Sequence, residues 1–378
     1  MKSIIPVKIK ILMKDSPKKL LIVFNNLNIG GIETKIIDLC NYFSHQKKIQ
    51  VILLLKSKSG TLLPSLPKNI SVINPNIPQK FKIRTFLFPW WISKVITSVK
   101  PDLIITFGNY CSVSAVVGKF FGKSQAKLII SEDSSIIEQL NSDTFSFIRK
   151  TFVKITYPLA TKIITLTQSG HDKLYHFIPS LKEKINILDN WLPLSFSTSQ
   201  QNLNKNIDIL FLGRFEIQKN PLEFLKICHL LIKSFPSIKI AMVGYGSLKK
   251  EITHYITVNK LSKNISIFPK SIHPSEYFQQ SKIFLLTSNH EGFPLTILES
   301  TASNCLPVCK NLSEIENYFD CEPSKTLYKN KNEAVLKISH LLKHPSTVKK
   351  LSEYYRQKTI HNQLHNFQKT INLLYKYL

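Results

Sequence analysis

Acidic residues are scarce in this chain. Against 51 Lys and Arg it has 24 Asp and Glu, a formal net charge of +27 over 378 residues. No acid occurs between Asp38 and Asp102, and residues 1–130 hold 20 Lys and Arg against 4 Asp and Glu, a net of +16. A balance of that sign implies an anionic partner: phosphate, nucleic acid or an acidic membrane surface. A lysine-rich background would place Lys on solvated faces, but it would not by itself clear acids from so long a segment. Long apolar runs are also missing, since none approaches the ~20 residues of a membrane-spanning helix. The first residues, MKSIIPVKIKILMKDSPKK, scatter cations among apolar positions and so lack the unbroken apolar region of a secretory signal. The expectation is a cytoplasmic protein.

The six cysteines, at 40, 111, 228, 305, 309 and 321, include no C-x-x-C pair, and no histidine accompanies the last three at metal-finger spacing. That pattern points away from a disulfide framework and from a bound metal, so no metal is expected. Low-complexity tracts and short repeats are absent as well. What remains is the material of a packed protein, 43% hydrophobic and 10% aromatic, which excludes general disorder. Its length suits two ordinary domains better than one.

From Lys19 the chain alternates short apolar runs with amphipathic stretches: LLIVF (20–24), QVILLL (50–55), ISVI (70–73), DLIITF (102–107), KLIIS (127–131) and KIITLT (162–167). Runs of this kind, spaced by helical patterns, predict strands of a parallel sheet covered on both faces. Ile32, Ile36, Ile37 and Cys40 recur at helical spacing, as do Ile92, Val95, Ile96 and Val99, and both sets read as crossover helices. The polar stretch SFSTSQQNLNKN (195–206) then breaks the pattern like an interdomain linker. Strand signatures resume in IDILFLGRF (207–215), SIKIAMVG (237–244), NISIFP (264–269) and KIFLLTS (282–288), with helices expected after Asn220, Gly246 and Pro294. The organisation predicted is an α/β chain with one Rossmann-like domain over 1–195 and a second over 205–345. One or two terminal helices are expected over 346–378.

The sharpest chemistry lies in TSNHEGFPLTILESTASNCLPV, where Glu291 and Glu299 are separated by seven residues. Gly292 permits close approach of backbone to a ligand, and Pro294 suits the first turn of a helix. Free N–H groups at that helix start would form an anion site. One helix end could then reach both a phosphate and a sugar hydroxyl, engaging Phe293 and Leu295 with it. The two acids could alternatively be first-turn residues favoured by the helix dipole. Upstream, FLGRFEIQKNPLEF sets Arg214 just after a strand and Lys219 five residues on. Two fixed cations at a strand's carboxyl end suit a diphosphate, whose charge they would stabilise as it leaves. VGYGSLKKEI places Gly244 in a tight turn before a helix, and Gly30-Gly31 followed by Glu33 forms a comparable loop in the first half.

These runs together resemble family 4 glycosyltransferases. The match covers the E-x7-E motif with its EGFP core and downstream A-x-x-x-x-PV, the G-R-x(4)-K-N pattern, the V-G-x-G-S turn and the G-G-x-E loop. The resemblance implies a GT-B fold, two Rossmann-like domains facing across a cleft. It implies a nucleotide-sugar donor in the second domain and a glycan or lipid-linked acceptor on the first, with retention of anomeric configuration and no cofactor. It also implies Glu291 beside the transferred sugar, Glu299 on the donor ribose, Arg214 and Lys219 on the diphosphate, and Gly292 to Leu295 with Gly244 around the donor. Gly30, Gly31 and Glu33 would form an acceptor or phosphate loop. Three family features are missing. Ser131-Glu132 is followed by Asp133 in place of a histidine, Pro269-Lys270 replaces the Gly after ISIF, and KNLSEIE (310–316) replaces a Gly-rich loop.

The acid-free segment FKIRTFLFPWWISKVITSVK joins Lys82, Arg84, Lys94 and Lys100 to Phe86, Phe88, Trp90 and Trp91. That mixture suits an anionic membrane interface, although Ile92, Val95 and Ile96 could equally pack in a core with the tryptophans closing a domain edge. The expectation is an enzyme of surface polysaccharide or glycolipid synthesis, peripheral on the inner face of the cytoplasmic membrane, with no nucleic acid partner. Other readings stand beside it: a non-catalytic sugar-binding or partner-binding relative, a basic nucleic-acid-binding protein without a recognisable motif, and a synthase of a soluble disaccharide phosphate.

Overall fold

The computed structural model describes residues 16–75, 83–133, 135–141, 146–196, 205–271 and 273–378, with the backbone alone for 83–86. Residues 1–15, most of the expected linker, Lys82 and the side chains of Arg84 and Phe86 therefore lie outside the described residues.

The first sheet has seven strands: β1 (Lys18–Phe24), β2 (Ile49–Leu55), β3 (Ser71–Ile73), β4 (Leu103–Phe107), β5 (Lys127–Glu132), β6 (Lys162–Thr165) and β7 (Ile185–Ile187). They lie in the order β3-β2-β1-β4-β5-β6-β7, and each neighbouring pair is parallel. The helices between them are α1 (Gly31–Ser44), α2 (Ile83–Val99), α3 (Asn109–Phe121), α4 (Ile136–Asn141), α5 (Ser146–Thr156) and α6 (Gln168–Phe177). The apolar runs are continuous because both faces of the sheet are covered. Leu21 and Val23 of β1 enter one core with α2 and α3, and Leu20, Ile22 and Phe24 enter another with α1.

The second sheet repeats the plan with β8 (Ile207–Leu212), β9 (Ile240–Val243), β10 (Ile265–Phe268), β11 (Ser281–Leu286), β12 (Leu306–Lys310) and β13 (Leu327–Tyr328), in the order β10-β9-β8-β11-β12-β13. Its pairs too are all parallel. It carries α7 (Pro221–Ser234), α8 (Lys249–Val258), α9 (Pro274–Gln279), α10 (Leu295–Ala302), α11 (Pro323–Thr326) and α12 (Lys331–Lys343). The strand order reverses between β1 and β4 in one sheet and between β8 and β11 in the other. In parallel sheets such switch points open the crevices where ligands bind, at the carboxyl ends of the strands.

Three strands escaped the sequence reading. β7 and β13 are short edge strands, and β12 begins with Leu306-Pro307, a proline that argues against a central strand. The aromatic segment is divided between the two readings given for it. Phe88, Ile92, Val95 and Ile96 are buried in the first domain, Phe88 stacking on Tyr110 at 6.0 Å, so Phe88 serves the core and not a membrane. Trp90 remains 49% exposed.

The terminal segment is one 33-residue helix, α13 (Pro345–Tyr377). At ~1.5 Å per residue it is about 50 Å long, enough to cross both domains. Leu351 and Tyr355 complete the core of the second domain, while Phe367, Ile371 and Leu374 complete that of the first. Phe367 packs edge-on to Tyr42 at 5.5 Å and to Trp191 at 5.3 Å. Trp191 in turn donates from Nε1 to buried Asp38 at 2.9 Å, whose carboxyl is pushed up to about 6 by burial, with the Trp191, Leu194 and Lys35 contacts opposing. The helix thus straps the connection between domains to the first domain. Phe367→Ala should cost about 3–5 kcal/mol, read as an earlier urea midpoint, whereas Phe367→Leu should cost less. Equal midpoints for Phe367→Ala and the wild type would show that the strap does not hold the first domain.

Candidate active site

The site begins at the switch point of the second sheet. β8 runs into a loop, 213–220, that is stopped by Asn220-Pro221. Asn220 sits in the left-handed region with φ 49°, its side chain accepts from Glu223 N, and Pro221 takes the first helical position of α7. The loop after β11 is stitched to it. Thr287 Oγ1 donates to the carbonyls of Lys219 and Asn220, each at 3.0 Å. Asn289 donates from its backbone to Gln218 O at 2.8 Å and from Nδ2 to Ile217 O at 2.9 Å. Two loops that are far apart in sequence become one rigid unit, which fixes the side chains they carry.

Those side chains are Lys219 and Glu291. Lys219 Nζ donates to Glu291 Oε1 at 2.5 Å, with side-chain exposures of 15% and 7%. The ammonium also acts on Glu299, one turn into α10. Burial pushes the Glu299 carboxyl up to about 7, and Lys219 opposes the shift. Among the described residues, no side chain hydrogen-bonds to the Glu299 carboxylate, so its acceptor capacity is open. Arg214, exposed, donates from Nη2 to Gln218 Oε1 at 2.6 Å. α10 starts at Leu295 behind an extended Pro294 that provides no side-chain cap, which leaves its first backbone N–H groups for a ligand. Pro294 therefore stands just outside the helix and not in its first turn.

Gly244 closes the unit from the β9 side. A Cβ there would run into Gly213 O, so the turn can lie against the β8 loop only as glycine. Glu216 ties the turn down, accepting from Ser247 N at 2.8 Å and Ser247 Oγ at 2.6 Å.

The first domain meets this unit edge to edge. Gly31 lies against Leu295, whose Cδ1 would be 3.2 Å from a Cβ at that position. Asn190 donates from Nδ2 to Phe293 O at 2.9 Å. Glu33 faces Arg214 and Lys270 across the cleft. Burial raises its carboxyl, while its own backbone N–H and those two cations oppose the shift. Gly30 turns its open side to the Glu33 carboxylate. All the sequence-predicted site residues thus lie on the two facing edges.

Sequence reasoning missed four residues at this interface. Lys270, noted only as a departure, stands over the Tyr245 ring at 4.3 Å and adds a third cation to the cleft. Its position at the carboxyl end of β10 was the available signal. Asp133, where the family histidine was sought, forms a buried ion pair with Lys35. Glu314, in the segment that replaces the glycine loop, pairs with Lys173 of the first domain, which also reaches Glu138 at 2.7 Å. Glu132, buried, accepts from Tyr157 Oη, and its carboxyl is pushed up to about 8 by burial, with the Tyr157 bond opposing and Asp133 adding to the rise. Glu132, Lys173, Gly292 and Glu314 line a small cavity of about 20 Å³ between the domains, room for one water.

With this geometry in view, residues 196–358 match the family described as "Glycosyl transferases group 1". A Campylobacter jejuni protein named GalNAc-alpha-(1->4)-GalNAc-alpha-(1->3)-diNAcBac-PP-undecaprenol alpha-1,4-N-acetyl-D-galactosaminyltransferase is 25% identical over 75% of this chain and 76% of its own length. The Staphylococcus aureus capsular polysaccharide biosynthesis glycosyltransferase CapH is 24% identical over 90% of this chain and 99% of its own. Anabaena HepE, solved in complex with UDP-glucose, superposes with a TM-score of 0.77 at 15% identity, covering 95% of this chain and 99% of that one. The fold is therefore that of the GT-B glycosyltransferases.

A buried ion pair is costly to halve. Lys219→Met leaves Glu291 unpaired among buried groups and should destabilise by about 3–5 kcal/mol. Lys219→Met with Glu291→Gln should recover most of that loss in a double-mutant cycle of urea denaturation. Additive losses would show that the two side chains are not coupled.

Proposed function

We propose that this chain, a glycosyltransferase by its family match and its named relatives, transfers a sugar from a nucleotide sugar to a lipid-linked or polymeric glycan in surface polysaccharide or glycolipid synthesis. The observation that carries the reading is the cluster at the β8/β11 switch point: Arg214, Lys219 and Lys270 beside Glu291, Glu299 and the open start of α10. A nucleoside diphosphate fits such a cluster. Its phosphates would meet the cations and free N–H groups, and its ribose hydroxyls would donate to Glu299. As the bond from the sugar to the diphosphate breaks, negative charge grows on the departing oxygen, and cations held by rigid loops stabilise it without reorganising. Arg214 and Lys219 are assigned that role, which needs no metal, and Glu291 is assigned the transferred sugar. The E-x7-E spacing supports placing the chain with family 4 and supports retention of configuration.

Uridine is the first base to test, because HepE holds UDP-glucose on the same fold. The acceptor assignment draws on the relatives' names, one for an undecaprenol diphosphate and one for capsular polysaccharide. Gly30, Gly31 and Glu33, on the facing edge, are assigned to the acceptor or to the donor phosphates. Such an acceptor places the enzyme at a membrane surface, although among the described residues no helix is long and apolar enough to cross one.

UDP at ~100 times its dissociation constant should add about 2.7 kcal/mol to the folded state, a clear rise in melting temperature that Arg214→Ala and Glu299→Ala should each abolish. Glu299 also sets a pH dependence. Its folded pKa of about 7 lies above the ordinary glutamate value of 4.5, so the group lowers stability increasingly as pH rises through that window. A ligand that needs the carboxylate gains affinity over the upper part of it. UDP should bind about tenfold more tightly at pH 8 than at pH 6 through this group, a component that Glu299→Gln removes. No shift with any nucleotide in a well-folded sample would defeat the donor-site reading.

A further inference from the structure

Three helices of the first domain carry a surface that the transfer chemistry does not use. α2, α3 and α5 all pack on the same face of the first sheet, contributing Phe88, Ile92, Cys111, Ala115 and Val153 to one core. Their outer sides therefore form one surface. Gly118 brings α3 close to α2, since a Cβ there would be 2.7 Å from Ile92 Cγ2 and 2.8 Å from Pro89 O. α3 also packs against α5.

A helix that has already buried one side normally turns polar residues to water. α5 does not. Val153 and Thr156 face the core, while Phe147 is 82%, Ile148 53%, Phe152 51% and Ile155 62% exposed, with Leu159 beyond the helix at 59%. Residues 148, 152, 155 and 159 follow a spacing of four, three and four, a single stripe. At the end of α3, Phe120 and Phe121 are 73% and 65% exposed, and on α2 the half-exposed Trp90 lies 3.7 Å beneath Lys94 Nζ. Single exposed apolar residues need no explanation, but a clustered set of this size marks an interaction site.

The charge on the same helices identifies the partner. Among the described side chains, α2, α3 and α5 carry Lys94, Lys119, Arg149, Lys150 and Lys154, and the three helices hold not one Asp or Glu. Exposed aromatic and aliphatic side chains among cations, with no acid, complement the interfacial zone of a bilayer rich in anionic lipid. We propose that this face, centred on α5, docks the enzyme on an anionic phospholipid surface. α5 and not the Trp90-Trp91 segment of α2 provides most of the insertion. The location also suits a lipid-linked acceptor. α4 packs on α5, and Ser135, Ile136 and Ile137, at its start, line the interdomain cavity beside Gly292. A headgroup held at the α5 face would thus have a short path to the cleft. That last point rests on the acceptor reading above, whereas the docking itself does not.

The test is flotation of the full chain with phosphatidylglycerol vesicles and, separately, phosphatidylcholine vesicles at low salt. The variants are Phe147→Ser/Phe152→Ser/Ile155→Ser, Lys150→Gln/Lys154→Gln, and the control Leu336→Ser, an exposed apolar residue of the second domain. The wild type and the control should float with phosphatidylglycerol. The triple variant should partition roughly tenfold more weakly or worse, the double lysine variant should weaken in a salt-dependent way, and phosphatidylcholine should retain little. UDP-induced thermal stabilisation, measured on the same samples, should be unchanged in the triple variant, which shows that it is folded. Failure of the wild type to float would overturn the docking proposal, as would unaltered flotation of the triple variant. So would a self-association of the wild type in sedimentation that the triple variant loses in place of vesicle binding. Flotation without nucleotide binding would leave the docking face intact and remove the donor-site reading instead.

Discussion

A parallel sheet delivers the carboxyl ends of all its strands to one edge, and the rest of this structure depends on two such edges facing each other. The loops that follow β1, β8, β9, β10 and β11 can meet only there. Within the second sheet the reversal of strand order separates the paths of α7 and α10, so the β8 and β11 loops are left side by side with space above them. Lys219 and Glu291 fill that space as a buried pair. A charge so placed costs much to desolvate and is tolerated only when its partner is held in register. The hydrogen bonds from Thr287 and Asn289 to the β8 loop, and Gly244 against Gly213, provide that register.

Holding the two edges at a fixed separation is the task of α13 and of the connection it covers. Asn366 donates to Asn190 O at 3.1 Å, and Asn190 donates to Phe293 O at 2.9 Å, so the strap, the connection and the loop before α10 form one chain of contacts. Lys173, shared by Glu138 and Glu314, also joins the domains. The first contact is largely apolar packing with a few neutral hydrogen bonds. The second is ionic and partly exposed, and so more readily broken.

Much of this was legible in the sequence because the signals were local. β1, β2, β4 and β8 are continuous apolar runs, and a strand covered on both faces can be written in little else. Asn220-Pro221 announces a helix start by chemistry that needs no tertiary context. Lys270 and Glu314 were visible only as departures from a pattern, because their meaning depends on Glu33 and Lys173, which the fold brings to them from the other domain. Phe88 and Trp90 are two residues apart on a helix that packs on one side only, and composition could not say which faced the core. α5 was missed altogether. Its apolar stripe of Ile148, Phe152 and Ile155 does recur at helical spacing, but it faces outward, whereas an apolar stripe is ordinarily read as the side that meets the core.

On the proposed function, the nucleotide lies over the β8/β11 switch point and not on the first domain. Photolabelling with 5-azido-UDP-glucose followed by peptide mapping tests it directly, because the azide marks the residues that surround the base. The account predicts label within the second domain, in peptides from the β8, β9, β10 or β11 loops, and its suppression by excess UDP. Label confined to peptides before Trp191, or label that UDP does not suppress, would contradict it.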